Sequence, residues 1–462
     1  MVAIVSAFVK NYLPYYKRNL KIAFPVMLTQ LGASLVGLFD TIMVGHYATA
    51  DLAAVSFSNA IFFTVMVFAM GVLMGLTPLV GYEVGKMGGS GNEEKGLRKI
   101  GNLFYNGVVV AAELSVVICL VLGSIYPILD KFGQDPEVIE AAKGYYLLIT
   151  ISIVPFLFFC LQKQFLEGLG NTWVAMIITL VMNLLNIFLN WVFIFGHFGL
   201  EPMGATGAGL STLISRLLMP ICFFVVIACH RQWKEYLKGN RINKKVMFHL
   251  IKIGTPIGLQ TFLETFTFTI SFVLIGWISK EALGAHQIAN QIADLTFMLA
   301  IGIGAATTIR VSHQLGQGDL EAVRMASNAS IHLCLMMNTI GATLMIVFRN
   351  VIPALFTEDA EVISIASKLI LFAGLFQYAD GMQTVGAAML RGLTDVKKPM
   401  RYAFVAYILI ALPIGIICTF PLKMGAMGMW IGFIVGLSLA AVFFHVRFRR
   451  RLSKLETKFA KI

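Results

Sequence analysis

The feature that most restricts the fold of this chain is a series of about twelve apolar runs, each 20 residues or longer. Such a run crosses a hydrocarbon core of about 30 Å as a helix, at about 1.5 Å per residue. Membrane-spanning strands would instead alternate with a period of two, in segments of about ten residues. We therefore predict an all-α polytopic membrane protein. The predicted spans cover residues 22–47, 52–80, 100–127, 138–160, 170–196, 204–229, 249–278, 282–310, 325–350, 361–390, 400–421 and 425–446.

Composition agrees with this class and removes others. Only 13% of the 462 residues are charged, whereas a soluble domain carries roughly a quarter. All six cysteines fall in apolar runs without metal-ligand spacing, so we interpret them as small core residues rather than redox or disulfide positions. The net charge of +12 reflects basic loops beside a membrane and is not a nucleic-acid signature.

Lysine and arginine alternate strongly between successive loops. One set of loops is rich in them, and the other carries only scattered single charges. By the positive-inside rule the basic loops are cytoplasmic, so both termini are predicted to lie in the cytoplasm, as an even number of spans requires. The basic set comprises Lys17 to Lys21, Lys86 to Lys99, the linker Arg231 to Lys245, Arg391 to Arg401, and the tail from Arg447 to Lys461.

The chain repeats itself. Shifted by 231 positions, residues 20–86 align without a gap on 251–317. A second shift, of 224, aligns Asp135 with Asp359 and Gly168 with Gly392. Such a duplication is typical of transporters, and its two halves begin on the same membrane side. The residues that match at the first shift are Lys21/Lys252, Ile22/Ile253, Pro25/Pro256, Gly45/Gly276, Leu52/Leu283, Asn59/Asn290, Gly71/Gly302 and Gly85/Gly316.

The repeat predicts two pseudo-symmetric six-helix lobes around a central cavity. The N-terminal lobe covers 1–230, a basic cytoplasmic linker covers 231–248, and the C-terminal lobe covers 249–462, with a basic tail. Pro25 and Pro256 occupy equivalent places, which predicts paired bends in the first and seventh helices.

Charged residues within spans are costly and usually face a cavity or a partner. In the second half, Glu264 lies about 18 Å and Asp380 about 16 Å into the membrane from the cytoplasmic side, at about 1.5 Å per residue. Asp294 reaches a similar level from the outside. It shares one helical face with Gln287, since positions three and four residues apart are neighbours. These groups are expected to line a hydrated cavity; the alternative is a buried network that only holds helices together.

The first half contains a second polar cluster, nearer the outer surface. Asp40 lies about 28 Å along the first helix from Lys21, and Asn186 and Asn190 are neighbours on the fifth. With Thr212 on the sixth helix they form a candidate site for a hard cation or a proton. The asparagines could equally hold helices together.

Glu113 and Arg216 come out at similar depth in the same half. Because each would otherwise be an unpaired buried charge, we predict a structural ion pair.

These residues resemble the multidrug and toxic compound extrusion (MATE) transporters, most nearly their bacterial NorM-type branch. The resemblance covers nearly the whole chain. It rests on PVMLTQ at 25–30, VGLFDTIMVG at 36–45, PIGLQ at 256–260 with Glu264, AHQIA at 285–289, Phe376 to Gln383, and Leu390 to Asp395.

The resemblance implies a secondary antiporter that exports organic cations at the expense of a Na⁺ or H⁺ gradient. It implies cation and substrate binding in the C-terminal lobe by Glu264, Asp380 and Gln287. It implies a cation site in the N-terminal lobe from Asp40, Asn186, Asn190 and Thr212. One departure is Phe376, where some relatives place tyrosine, which removes a possible oxygen ligand from the second lobe.

We therefore predict a multidrug exporter of amphipathic cations in the bacterial inner membrane, acting as a monomer, without enzymatic activity, nucleic-acid partner or cofactor beyond the coupling ion. A lipid-linked oligosaccharide flippase of the same superfamily is the nearest alternative, but it would need a cationic cavity for pyrophosphate. A membrane enzyme should show a His–Asp or multi-carboxylate motif at a membrane face, and none is evident. A channel is disfavoured by the duplication with its prolines.

Overall fold

The computed structural model describes residues 2–90, 93–238 and 241–459. In this part of the chain, twelve helices are long and apolar enough to cross a membrane. We number them in chain order: α1 (Lys10–Tyr47), α2 (Thr49–Gly88), α3 (Glu93–Phe132), α4 (Pro136–Gly168), α5 (Trp173–Phe195), α6 (Gly204–Cys229), α7 (Lys244–Gly276), α8 (Lys280–Gln317), α9 (Leu320–Val347), α10 (Ala360–Gly392), α11 (Lys397–Thr419) and α12 (Ala426–Lys458).

The predicted number and helical type of the spans are confirmed, but several helices extend well past their apolar runs. Helix α12 continues to Lys458, twelve residues beyond the predicted end, and α1 begins twelve residues before the predicted start. An apolar window detects only the part of a helix that crosses hydrocarbon. Backbone hydrogen bonding continues through the charged turns that follow, because water and side chains there solvate a helix equally well.

The residues that match at the second repeat shift, 224, have the same structural roles in both halves. One pair caps the start of a helix, and the other lies where two helices cross. Asp135 caps α4 by accepting from the Glu137 N–H at 3.0 Å, and Asp359 caps α10 by accepting from the Glu361 N–H at 2.9 Å. At the other end of these helices, a Cβ on Gly168 would stand 2.8 Å from Val80, and one on Gly392 would stand 2.7 Å from the equivalent Val311. Both halves therefore bring α2 and α4, or α8 and α10, together over a glycine.

Residue contacts divide the chain into two compact units. The N-terminal unit is Leu28–Gly258, and the C-terminal unit is Leu259–Ile462 together with the chain up to Met27. Both changes of unit fall inside continuous helices, α1 and α7, two residues after Pro25 and Pro256. The two boundaries are thus equivalent positions of the repeat.

Close backbone packing explains why each of these helices changes unit. In the N-terminal unit, Gly71 of α2 faces Gly258 of α7 so closely that a Cβ on Gly71 would overlap the Gly258 backbone. In the C-terminal unit, a Cβ on the equivalent Gly302 would overlap the side chain of Met27 and approach the α1 backbone at the Ala23 carbonyl, 3.0 Å away. The packing units therefore differ from the proposed lobes, 1–230 and 249–462. The start of α7 belongs to the N-terminal unit because it packs on α2, and the start of α1 belongs to the C-terminal unit because it packs on α8.

Helix α11 is not regular. Its middle, Phe404–Ala411, is a π-helix that ends just before Pro413. Proline has no N–H to donate and crowds the carbonyl four residues earlier, so the preceding turns widen. The widened stretch places Tyr407 in the core, fully buried.

Candidate cation-binding sites

Two carboxyl groups of the C-terminal unit, one buried and one partly buried, share one hydrogen-bond donor. The side-chain amide Nε2 of Gln383 donates to Glu264 Oε1 at 2.6 Å and to Asp380 Oδ1 at 3.2 Å. Asp380 and Gln383 are 4% and 1% exposed, while Glu264 is partly buried. The two carboxyl oxygens lie close together because both accept a hydrogen bond from the same nitrogen. The structure therefore brings Glu264 and Asp380 together, as the sequence predicts.

Tyr407, which sequence reasoning did not identify, fixes the amide of Gln383. Its hydroxyl donates to Gln383 Oε1 at 2.7 Å. Because the amide oxygen accepts from Tyr407, the amide nitrogen must face the two carboxylates. Tyr407 is therefore a positioning residue for the pair, and the π-helical stretch is what aims it.

We expect Tyr407→Phe to leave the ring packed and to free the Gln383 amide. The loss of one buried hydrogen bond should cost about 1–2 kcal/mol of stability. Drug transport should fall about three- to tenfold, because the amide no longer holds both carboxylates in place. Thermal unfolding in detergent and transport by reconstituted protein measure the two effects. Tyr402 lies on the same helix with its ring tilted against that of Phe443, so Tyr402→Phe is the matched control. Equal transport by both variants would contradict the positioning role.

Asp294 and Gln287 are exposed on α8, and the partly buried Asn290 lies on the same face of that helix. Asn290 Nδ2 donates to Asp294 Oδ2 at 3.3 Å. The carboxylates of Asp294 and Glu264 both repel that of Asp380 electrostatically. Arg391, further along α10, attracts Glu264 and offsets part of this charge. The cluster therefore holds three carboxyl groups and one guanidinium, a set that can take up a proton or a cation.

Phe376 belongs to the aromatic core of this unit rather than to its polar cluster. It is 4% exposed and packs edge-on against Trp430 at 5.4 Å and Phe268 at 5.9 Å between ring centroids. Trp430 in turn donates to Nδ1 of the fully buried His286. Phenylalanine at this position therefore contributes packing and supplies no oxygen ligand.

In the N-terminal unit, the structure brings Asp40, Asn186 and Asn190 together. The amide Nδ2 of Asn190 donates to Asp40 Oδ1, and to Asn186 Oδ1 at 3.4 Å. Asn190 is fully buried, yet its own Oδ1 has no hydrogen-bond partner. A buried acceptor without a donor is unusual and suits a cation or a proton donor. Thr212 is partly buried on α6.

The predicted ion pair between Glu113 and Arg216 is wrong. Glu113 is exposed on α3, because its neighbours at 111 and 115 are buried and each is about 200° away around the helix. Arg216 donates instead to Ser152 Oγ at 2.8 Å, and its guanidinium lies between the rings of Phe62 and Phe156. Similar depth along two helices did not mean that the side chains pointed towards each other.

The donor sets restrict which ions these clusters suit. Within the described residues, no three His, Cys, Asp or Glu side chains are grouped so that they could hold a metal ion. The N-terminal cluster combines the Asp40 carboxyl group with the free amide oxygen of Asn190, and the C-terminal cluster offers carboxyl oxygens; both are hard ligands. Such sets suit a proton, an alkali cation or an organic ammonium better than a transition metal.

Sequence comparison finds the same duplicated pattern. The chain matches the MatE family model over residues 25–192 and 256–417, two segments that begin at the equivalent prolines. The Multidrug resistance protein NorM of Photobacterium profundum is 32% identical over 446 residues, which are 95% of this chain and 96% of that protein. The protein of the same name from Aliivibrio fischeri is 32% identical over 432 residues, 92% of each.

Solved structures share the fold across nearly the whole chain. The eukaryotic MATE transporter AtDTX14 superimposes with a TM-score of 0.83 at 20% identity, covering 97% of this chain and 100% of that one. The outward-facing structure of a multidrug resistance MATE transporter of the MOP superfamily gives a TM-score of 0.86, also at 20% identity, covering 96% and 97%.

Proposed function

This chain belongs to the MATE family, and we propose that it exports amphipathic organic cations in exchange for Na⁺ or H⁺ moving inward. The predicted family, fold class and non-enzymatic nature are confirmed by the family match and the NorM relatives. The chain is a NorM-type, cation-coupled multidrug exporter. The choice of ion and of substrates remains part of the proposal.

One observation supports the exchange mechanism most directly: the Gln383 amide joins the buried carboxyl group of Asp380 to the partly buried one of Glu264. A drug cation and a coupling cation both need this negative charge. They compete for it, and competition is the minimum requirement for antiport. The membrane potential contributes about 2.3 kcal/mol per charge per 100 mV to such an exchange.

The acidic character of the C-terminal cluster also argues against a lipid-linked oligosaccharide flippase. A pyrophosphate group requires several arginines or lysines as partners. This cluster instead holds three carboxyl groups, of which Glu264 interacts with Arg391, a donor set unsuited to a diphosphate.

We further propose that both termini face the cytoplasm of a bacterial inner membrane and that the protein acts as a monomer. The basic tail at the end of α12 supports this orientation, with Arg449, Arg450 and Lys454 exposed. Accessibility of a single cysteine introduced at Lys454 to a membrane-impermeant thiol reagent, in a cysteine-free background, tests the orientation. Labelling from outside in intact cells would contradict it.

Dye efflux from proteoliposomes tests the function. We expect reconstituted protein to move an aromatic cationic dye against its gradient when either a pH gradient or a Na⁺ gradient is imposed separately. Liposomes without protein give the leak rate. Absence of dye movement under both gradients would contradict the proposal.

A further inference from the structure

The start of α9 and the end of α12 enclose a cavity of about 400 Å³ in the C-terminal unit. Ligand sites generally measure roughly 300–1,000 Å³. Every third or fourth residue of α12 from His445 to Glu456 lines the cavity, as do residues of α9 from Arg324 to Ile331. Such spacing places side chains on one face of a helix, so each helix presents one stripe to the cavity. Among the described residues that line it, none belongs to the candidate cation-binding sites.

The cavity combines charged and apolar walls at the edge of the hydrocarbon. Arg324 and Arg449 lie just outside the predicted apolar runs, which begin at 325 and end at 446. Ile331 lies about 10 Å further along α9, at about 1.5 Å per residue. Phe448 and Leu452 of α12 are buried and also line the cavity. The cavity therefore fits a molecule with a polar end beside an apolar one.

One positive charge of the cavity has no ion-pair partner. The guanidinium of Arg324 pairs with Glu456 and so joins α9 to α12. Arg449 is exposed, and in the described part of the chain it forms no ion pair. Arginine stays protonated in proteins. Since Arg324 and Glu456 offset each other, Arg449 leaves the cavity with a net positive charge.

We propose that this cavity binds the phosphodiester headgroup of an anionic phospholipid from the cytoplasmic leaflet. A phosphodiester carries one negative charge, which matches the unpaired guanidinium of Arg449, and an arginine fork fits two phosphate oxygens. The Ser453 hydroxyl can donate to a third oxygen, while an acyl chain lies along Ile331. Basic pockets between transmembrane helices on the cytoplasmic side are suited to such headgroups. A soluble anion would use the charge but leave the apolar wall without a partner.

This inference goes beyond the proposed export and rests only on the proposed orientation of the termini. Labelling of a cysteine at Lys454, described above, tests that orientation separately. A headgroup that contacts α9 and α12 together should also raise the thermal stability of the protein, because a ligand that binds only the folded state stabilises it.

The test measures the affinity of the purified protein for a fluorescent phosphatidylglycerol in neutral detergent micelles. Arg449→Gln removes the unpaired charge from the cavity. Arg450→Gln is the matched control, because Arg450 is the next residue of α12 and is also exposed but does not line the cavity. Glu456→Gln removes the carboxylate and frees Arg324. Binding in micelles does not depend on transport, so the outcome is independent of the proposed export.

We expect Arg449→Gln to weaken phosphatidylglycerol binding about tenfold, on the scale of a charge-assisted hydrogen bond. Arg450→Gln should change it by less than about twofold, because a charge outside the cavity is screened. Glu456→Gln should tighten binding about fivefold, since the phosphate then meets two unpaired guanidiniums. Phosphatidylcholine with the same chains should bind more weakly to the wild type, and phosphatidylglycerol should raise its unfolding temperature.

Three results would overturn the inference. Equal weakening by Arg449→Gln and Arg450→Gln would reduce it to general attraction by a basic surface. Equal affinity for phosphatidylcholine and phosphatidylglycerol would show that the charge plays no part. Displacement of the labelled lipid by inorganic phosphate at constant ionic strength would identify a site for a soluble anion. Failure of the proposed export would instead appear as absence of gradient-driven efflux by the wild type, and it would leave these binding constants unchanged.

Discussion

Replacement of Asp380 by asparagine is expected to reduce dye efflux by a factor of about 100 or more. Asp380 is 4% exposed and shares the Gln383 amide with Glu264. A unit charge about 4 Å from a bound cation contributes roughly 4 kcal/mol at an effective dielectric constant near 20, which sets the scale of the loss. Asparagine keeps the shape and most hydrogen bonds, so the variant should fold and insert normally.

Cells carrying each variant at equal expression provide the measurement, as drug resistance and as dye efflux. Asp359→Asn is the matched control, because Asp359 caps the same helix α10 and asparagine caps a helix equally well. Normal resistance in the Asp380→Asn strain, or an equal loss in the Asp359→Asn strain, would exclude a direct role for Asp380.

The duplicated apolar pattern made the architecture predictable, because only helices satisfy their own backbone in lipid and only a repeat explains glycines, prolines and asparagines in one register. Depth along a helix was predictable too. Glu264 and Asp380 came out at one level from residue counting alone, and the structure brings them to the same amide. Asp40, Asn186 and Asn190 likewise meet.

Direction around the helix was harder to predict than depth. Glu113 shares a level with Arg216 but points away from the core, and only the burial of positions 111 and 115 shows this. Tyr407 could not be found from the sequence, because its aim depends on the π-helical widening before Pro413. The exchange of helix ends between the packing units was also hidden, since it depends on tertiary contacts of Gly71 with Gly258 and of Gly302 with Met27.

Neutralising a carboxyl group is expected to affect ion-driven efflux in the N-terminal cluster and dye binding in the C-terminal cluster. Asp40→Asn should reduce ion-driven efflux by about 100-fold while equilibrium dye binding stays within about threefold of the wild type. Glu264→Gln should weaken dye binding itself by about tenfold or more, on the scale expected for a buried charge facing a cation. Dye affinity is measured by fluorescence on purified protein, and efflux in proteoliposomes. Glu113→Gln, the exposed carboxylate of α3, is the control for loss of a charge within a span.

The reason for this difference is the charge that surrounds each site. The C-terminal cluster combines three carboxyl groups with Arg391, and we propose that it supplies the negative charge for a large organic cation. The N-terminal cluster offers one carboxyl group, that of Asp40, and one amide oxygen without a hydrogen-bond partner, that of Asn190, a donor set that suits a small ion or a proton. Loss of dye binding in Asp40→Asn together with its retention in Glu264→Gln would reverse the two roles. Loss of binding in both variants would mean that one shared site serves drug and ion alike.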